Sequence, residues 1–327
     1  MRDIPAFPSK LSIEMAALMA RVMAEDGPQP DPTTLPPAEG RALGEKANSR
    51  WNLDLPPVAR RLSVETIADA DLGSKSCRVE VIIPEGAGKG AIIFIHGGGF
   101  AFCSPETHER CARLLAIESG LPVLVPDYRL APEDPFPAGL MDCIATLRQA
   151  FTITADTGVE SGPLLVAGDS AGANLALAAI FKQMSDNQPA LAGALLFYGT
   201  FARNFETPSY QQFAHGPGLT RAKMQRYWQW YAPTDRTAPD VLACPGEASE
   251  AWLTALPPLH LMAAGIDPLL SDSIAFANRL KALGRRESLT IVEGVTHGFL
   301  QNTIDLDVAR EALRNAGMEA RRMAAKV

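Results

Sequence analysis

The pentapeptide Gly168-Asp169-Ser170-Ala171-Gly172 constrains this chain of 327 residues more than any other stretch. It follows the apolar run Leu164, Leu165, Val166 and precedes a helical pattern from Asn174 to Ile180, so a strand must turn sharply into a helix there. In such a turn G-x-S-x-G places the serine on strained backbone, and the flanking glycines remove side chains that would collide. The hydroxyl then stands at the carboxyl edge of a sheet, and the Ala171 amide at the helix start points toward any developing oxyanion. A capping serine in a small-residue turn would explain the same five residues without chemistry. Partners elsewhere in the chain therefore have to decide between the two.

Around this turn, short apolar runs alternate with helical patterns. Ser63 to Ile67, Arg78 to Ile83, Ala91 to Ile95, Pro122 to Val125, Pro163 to Ala167, Leu191 to Phe197, Pro258 to Ala263 and Leu289 to Val292 read as strands. Helices are expected near Glu106 to Ser119, Ala138 to Ala150, Ala171 to Met184 and Ser271 to Leu283, the last stopped by Gly284. This alternation predicts an α/β fold with a mostly parallel central sheet and helices on both faces. Leu11, Met15, Leu18, Met19 and Val22 share one helical face, so the N-terminal segment is expected to be an amphipathic helix retained in the mature protein, with Lys10 and Glu14 breaking any signal-like run. A proline-rich linker over about 27–37 should follow it. Residues 200–255 break the alternation, are rich in proline and aromatics, and read as a lid inserted into the sheet domain.

Ile95-His96-Gly97-Gly98-Gly99-Phe100 follows a strand, and three successive glycines let backbone N–H groups converge without side-chain obstruction. Neither phosphate-loop glycine pattern is present, which favours an oxyanion site, with His96 bracing the loop. Asp267 and His297 each follow a strand. Alone, the first reads as a turn aspartate and the second as an ordinary loop histidine. The order Ser170, Asp267, His297 changes that, because a nucleophile, an acid and a base in this order, each after its own strand, form a hydrolytic triad. Asp169 is the next acid to consider. His108, His215 and His260 show no metal-ligand spacing and read as structural or exposed, although His215 and Phe213 fall in the lid.

The sequence resembles the hormone-sensitive-lipase-like branch of the α/β-hydrolases, the HGGG-box bacterial esterases. The resemblance rests on His96-Gly97-Gly98-Gly99-Phe100, Asp127 to Glu133 with Phe136-Pro137-Ala138, Gly168 to Gly172, Asp267-Pro268-Leu269 and His297-Gly298-Phe299, and spans roughly residues 60–325. Ala173 departs from it, standing where that family commonly has a further glycine. The resemblance implies ester hydrolysis through an acyl-serine, with Gly98, Gly99 and Ala171 as oxyanion donors. It also implies a cap made of residues 1–60 and the insertion 200–255, over a catalytic domain of residues 61–199 and 256–327. Amide or acetyl-group hydrolysis on the same triad, and a non-catalytic ligand-binding role like that of the plant gibberellin receptors, are the alternatives; the presence of His297 speaks against the second.

Phe100 and Phe102 after the glycine loop, and Phe201, Phe205, Trp228, Trp230 and Tyr231 in the insertion, are candidate substrate contacts whose bulk would limit the acyl chain to short or medium length. The Asp127 to Glu133 segment is expected to fix a buried loop through Arg129 and a carboxylate. A net charge of −7 and a pI near 5.4 disfavour nucleic acid or an anionic membrane as partner, and no apolar run is long enough to span a bilayer. A small-molecule ester is the expected partner, with no cofactor or metal, and the sequence leaves open a homodimer. Five cysteines without a CxxC pair suit reduced thiols, mostly small core residues, in the cytoplasm.

Overall fold

The computed structural model describes residues 7–233 and 240–326. The expected ranges 1–60, 200–255 and 256–327 therefore each lie partly outside the described residues. Its strands are β1 (Arg60–Glu65), β2 (Arg78–Ile83), β3 (Ala91–Ile95), β4 (Val123–Pro126), β5 (Leu164–Asp169), β6 (Gly193–Phe197), β7 (Leu259–Ile266) and β8 (Leu289–Thr296). The helices are α1 (Ile13–Asp26), α2 (Pro37–Asn48), α3 (Glu109–Ser119), α4 (Ala138–Ile153), α5 (Ala171–Ser185), α6 (Pro208–Gln212), α7 (Arg221–Tyr231), α8 (Glu250–Thr254), α9 (Leu270–Ala282) and α10 (Asp307–Ala324). The strands form one sheet in the order β1-β2-β4-β3-β5-β6-β7-β8. Only β2 runs against its neighbours β1 and β4; every other pairing is parallel.

Both faces of this sheet are covered. Leu140 and Ile144 of α4, Leu177 of α5 and Phe276 of α9 pack in one buried cluster, while Cys111 and Leu115 of α3 and Leu313 and Ala316 of α10 pack in the other. The central strands β3 and β5 are continuous apolar runs for that reason, since neither face meets water. All five cysteines are free thiols, four of them buried and Cys103 partly so. Among the described residues no helix is long and apolar enough to cross a membrane.

The strands fall within a few residues of their expected positions. The first is displaced: β1 covers Arg60–Glu65, and Ile67 lies outside it with its side chain exposed. Residues 27–37 are not structureless, because Asp31 caps a 3₁₀ turn over Pro32–Thr34 and α2 starts at Pro37, where the missing N–H costs nothing. The helix expected from Glu106 is divided into a 3₁₀ turn over Glu106–His108 and α3. The amphipathic N-terminal helix is present as α1, capped by Ser12 and burying Met15 and Leu18. Residues 200–255 hold helices and no strand among the described residues, as the loss of alternation implies.

Helix α10 has no counterpart in the sequence reading. Its buried face is Ala309, Ala312, Leu313, Ala316, Gly317, Ala320 and Met323, a 3.6-residue periodicity carried mainly by alanine and set against a strongly polar opposite face. The small residues let α10 press closely on α3. A Cβ at Gly317 would lie 2.5 Å from Cβ of Glu118 and 2.6 Å from its carbonyl carbon. Gly317→Ala is therefore expected to lower unfolding free energy by about 1–3 kcal/mol despite alanine's better helix propensity, because backbone must move to admit the methyl. Urea denaturation checks this, and an unchanged or higher midpoint would contradict the close packing.

Candidate active site

Ser170 sits between the end of β5 and the start of α5 at φ 55°, ψ −119°, a region a serine enters only under strain. Its N–H donates to the Phe197 carbonyl at 2.9 Å, anchoring the turn to the end of β6. The glycines around it are there for closeness. A Cβ at Gly168 would lie 2.8 Å from the Ala173 nitrogen, and one at Gly172 would lie 2.7 Å from the His96 carbonyl oxygen. The turn is thus pressed against the end of β3, where the glycine loop begins. Ala173, fully buried, is accommodated because Gly199 opposite it has no side chain.

Residues 127 places apart converge here. Ser170 Oγ lies 2.8 Å from His297 Nε2, and His297 Nδ1 lies 2.7 Å from Asp267 Oδ2. β8 delivers the histidine and β7 the aspartate, each emerging at the same carboxyl edge of the sheet as the serine. Asp267 is fully buried and its second oxygen accepts the Leu269 N–H at 2.9 Å, which fixes the carboxylate in one orientation. With Asp267 accepting at Nδ1, the imidazole carries its proton there and presents Nε2 as the acceptor for the serine hydroxyl.

Asp169 takes a different place. Its side chain is buried, accepts the Gly97 N–H at 2.8 Å, and lies 3.3 Å from His108 Nε2. Burial works against the Asp169 charge, yet His108 and the Gly97 N–H hold its carboxyl below the usual aspartate range. The residue before Ser170 thereby clamps the first glycine of the loop. Further along, Gly98 and Gly99 adopt φ 115° and 60°, and the Gly98 carbonyl accepts from Ala101 and Phe102 in a tight turn. Among the described residues no acceptor takes the backbone N–H of Gly98, Gly99 or Ala171. His96 is fully buried, its Nδ1 donating to the Gly97 carbonyl at 2.8 Å, and stacks on Tyr128 at 4.3 Å between ring centroids. The Tyr128 hydroxyl donates to the His96 carbonyl at 2.8 Å.

The Asp127 to Glu133 segment supports the loop from outside. Arg129 forms a two-pronged pair with buried Asp142, at 2.8 and 2.7 Å. Arg41 of α2 donates to the carbonyls of Ala101 and Ala131 and pairs with Glu133, whose carboxyl it holds below the usual range. His215 is exposed, Phe213 is buried, and His260 is partly covered at the other end of β7. Among the described residues no cluster of His, Cys, Asp and Glu could hold a metal ion.

A family profile described as the alpha/beta hydrolase fold matches residues 92–301, which takes in the glycine loop, the serine turn, Asp267 and His297. The chain belongs to the α/β-hydrolase family. Its hormone-sensitive-lipase-like branch is the one its relatives support. Carboxylesterase NlhH of Mycobacterium tuberculosis is 34% identical over 227 residues, 68% of this chain and 70% of that one. Esterase LipI of the same organism is 31% identical over 276 residues, 83% and 85% of the two chains. The solved structure of ester-hydrolase EH1AB1 from the Lake Arreo metagenome, complexed with a bipyridine phosphonate derivative, matches with a TM-score of 0.86 at 31% identity, covering 95% of this chain and 98% of that one.

The aromatic candidates divide in space. Phe100 stacks on Tyr231 at 3.7 Å between centroids and meets Trp228 edge-on at 5.6 Å, so these three nearly covered rings form one cluster where α7 meets the glycine loop. Phe102 packs against Tyr227 and Trp230, Phe201 against Phe276 of α9, and Phe205 against Tyr210. Two aromatics escaped the sequence reading. Tyr227 lies directly over Gly99, where any Cβ would collide with its ring. Tyr198, at φ 36° just past β6, meets the His297 ring edge-on at 4.9 Å. A strand-end position, the signal used for Asp267 and His297, would have found Tyr198. Nothing local marks Tyr227. Buried Asp272 was also missed; burial, and secondarily the charge of Asp267, push its carboxyl well above the usual range.

Burial, followed by the adjacent His108, pushes His96 down to about 3. Between that value and the ordinary histidine value of about 6.5, the unfolded chain binds more protons than the folded one. The contribution of a neutral His96 is thus complete above the unfolded value and lost as pH falls toward the folded one. Asp169 acts in the same direction at lower pH. The Tm difference between the protein and His96→Asn should therefore shrink as pH falls from about 7 to about 4.5. A difference that stays constant across thermal melts in this range would show that His96 is not held neutral.

Proposed function

We propose that the protein is a serine carboxylic-ester hydrolase in which Ser170 is the nucleophile, His297 the general base and Asp267 the acid that orients it. The observation that carries this reading is the unbroken hydrogen-bond chain from Ser170 Oγ through both imidazole nitrogens to Asp267, at 2.8 and 2.7 Å. Relatives named carboxylesterase and esterase, similar over most of the chain, support the same chemistry. A ligand-binding role would leave this chain of hydrogen bonds without purpose.

In the first half-reaction the Ser170 oxygen attacks the acyl carbon while His297 Nε2 takes the hydroxyl proton. The carbonyl electron pair moves onto oxygen, facing the N–H groups of Gly98, Gly99 and Ala171, and Asp267 stabilises the imidazolium. Collapse expels the alcohol, which receives the proton from Nε2, and leaves an acyl-serine. Water, deprotonated by the same nitrogen, then attacks that ester and releases the acid. Every step uses groups of this chain and a water molecule. The three donors come from two separate segments, and Asp169 holds these in register by joining the serine turn to Gly97.

The N-terminal helices α1 and α2 together with residues 200–255 form the cap in this reading, because α7 rests on the glycine loop and Arg41 of α2 is tied to the same loop. Five free cysteines fit a reducing compartment such as the cytoplasm. A dimer is compatible with the site, since one chain supplies all of its parts.

Ser170→Ala should lose at least roughly a thousandfold in kcat while remaining folded, and Asp267→Asn about ten-thousandfold, since an amide cannot hold the required tautomer or stabilise the imidazolium. Ester hydrolysis by the purified variants, with circular dichroism as the folding control, tests both. Substantial turnover by folded Ser170→Ala would remove the assignment, as would a fluorophosphonate label that maps to another serine.

Acyl preference follows from the rings around the loop. Each methylene that fits should contribute about 0.8 kcal/mol, whereas one that meets packed Tyr227 or Phe102 costs about 1–3 kcal/mol. kcat/KM on nitrophenyl esters from acetate to palmitate should therefore peak at short to medium chains. A maximum at long chains would contradict the crowding.

A further inference from the structure

Thr200 stands just past the end of β6, where the chain leaves the sheet for the insertion. It is fully buried, and each of its polar groups is bonded to a different segment of the site. Its N–H donates to the Ser170 carbonyl at 3.4 Å. Its carbonyl accepts from Asn174 Nδ2 at 2.7 Å, in the first turn of the helix that follows the serine. Its hydroxyl accepts the indole N–H of Trp228 in α7 at 3.3 Å. Asn174 Nδ2 also donates to the Ala243 carbonyl at 2.9 Å, so one fully buried side chain on α5 holds the insertion at two separate places. The approach is close, since a Cβ at Gly199 would lie 2.9 Å from the Ala173 Cβ.

From Trp228 the connection runs on to the glycine loop. The buried indole meets Phe100 edge-on at 5.6 Å and Tyr231 at 5.9 Å, while Tyr231 stacks on Phe100 at 3.7 Å. Phe100 needs this support. Its φ is 64°, a left-handed conformation unfavourable for a residue with a bulky side chain, and it directly follows Gly98 and Gly99 at 115° and 60°. A phenylalanine released from these rings would relax toward negative φ, and the N–H directions of the two glycines before it would shift with it. Tyr227, next to Trp228 on α7, lies over Gly99, where a Cβ would come within 2.4 Å of the ring. A displaced α7 would therefore disturb the loop at both residues.

Resting on the ester-hydrolase reading above, we propose that Thr200 is a positioning residue for the oxyanion site. Its hydroxyl seats Trp228, and through Trp228 and Phe100 it sets the direction of the Gly98 and Gly99 N–H groups. Its N–H and carbonyl tie it to Ser170 and Asn174, so the loop is placed relative to the nucleophile itself. Hydroxyl and indole are both withdrawn from water, so neither can replace a lost bond with solvent. The consequence falls on the charged tetrahedral intermediate, which needs donors aimed at its oxygen, more than on the neutral ester.

Three substitutions test this. Thr200→Val keeps the shape and removes the hydroxyl, Thr200→Ser keeps the hydroxyl, and Trp228→Phe removes the indole N–H from the other side. Hydrolysis of p-nitrophenyl acetate by the purified proteins gives kcat and KM. A trifluoromethyl ketone, which adds to Ser170 and leaves an oxyanion, reports on the donors directly. Thr200→Val should lose at least about tenfold in kcat with KM changed by less than about twofold, and should bind the ketone at least about tenfold more weakly. Thr200→Ser should recover most of both. Trp228→Phe should show losses of the same size, and the double variant Thr200→Val with Trp228→Phe no more than the larger of the two, as expected when two groups act through one contact. Because Trp228→Phe leaves Thr200 in place, it decides the matter if Thr200→Val fails to fold. Unchanged kcat and ketone affinity in folded Thr200→Val or in Trp228→Phe overturns the proposal. So does a Thr200→Ser protein as impaired as Thr200→Val, or losses that add in the double variant. Absence of Ser170-dependent hydrolysis by the unmodified protein defeats the ester-hydrolase reading instead.

Discussion

The buried hydrogen bond from the Gly97 N–H to the Asp169 carboxylate joins the two halves of this site, and most of the local structure can be traced to it. One half is the serine turn at the end of β5, the other the glycine loop at the end of β3, and these strands are neighbours in the sheet. Strand pairing brings the two ends near each other, but only a side chain at the turn can lock the loop at a fixed separation. A charge buried for that purpose needs compensation, which His108 and the Gly97 N–H provide. His96 stays neutral beside them, so its ring brings no positive charge into the pocket under the loop.

From this clamp outward, each layer holds the one inside it. Tyr128 ties the His96 carbonyl, Arg41 ties the carbonyls of Ala101 and Ala131, and Arg129 fixes its own segment on Asp142. The positive φ at Ser170, costing on the order of 1–3 kcal/mol, persists because neighbours on every side leave the turn no other conformation. Gly168 and Gly172 are required by contacts with backbone rather than by their own flexibility. The strain and the clamp therefore serve one end: a hydroxyl held against an imidazole, below donors that have no acceptor among the described residues.

The surroundings of the glycine loop and of the histidine strand are built of unlike material. Stacked rings of the glycine loop and α7 make a stiff wall beside the loop, while the inner face of α1 meets β8 through Met15 and Thr296.

The sequence alone determined the alternation of strands and helices, hence the mostly parallel sheet covered on both faces. It also marked the ends of β3, β5, β7 and β8 as the places where the glycine loop, Ser170, Asp267 and His297 emerge, because strand ends are legible from period and punctuation. Helix α2 was not legible, because it follows a proline-rich stretch, whereas α10 was legible in its alanine-lined 3.6-residue stripe and went unread. Tertiary structure alone decided what the second candidate acid does. Asp169 and Asp267 are both carboxylates at strand ends, yet one accepts from Gly97 and the other from His297 Nδ1. It also decided that Tyr227 covers Gly99 and that α1 faces the histidine strand. Such pairings join residues far apart in the chain, and their geometry comes from how helices rest on the sheet edge, a quantity that no local pattern of residues encodes.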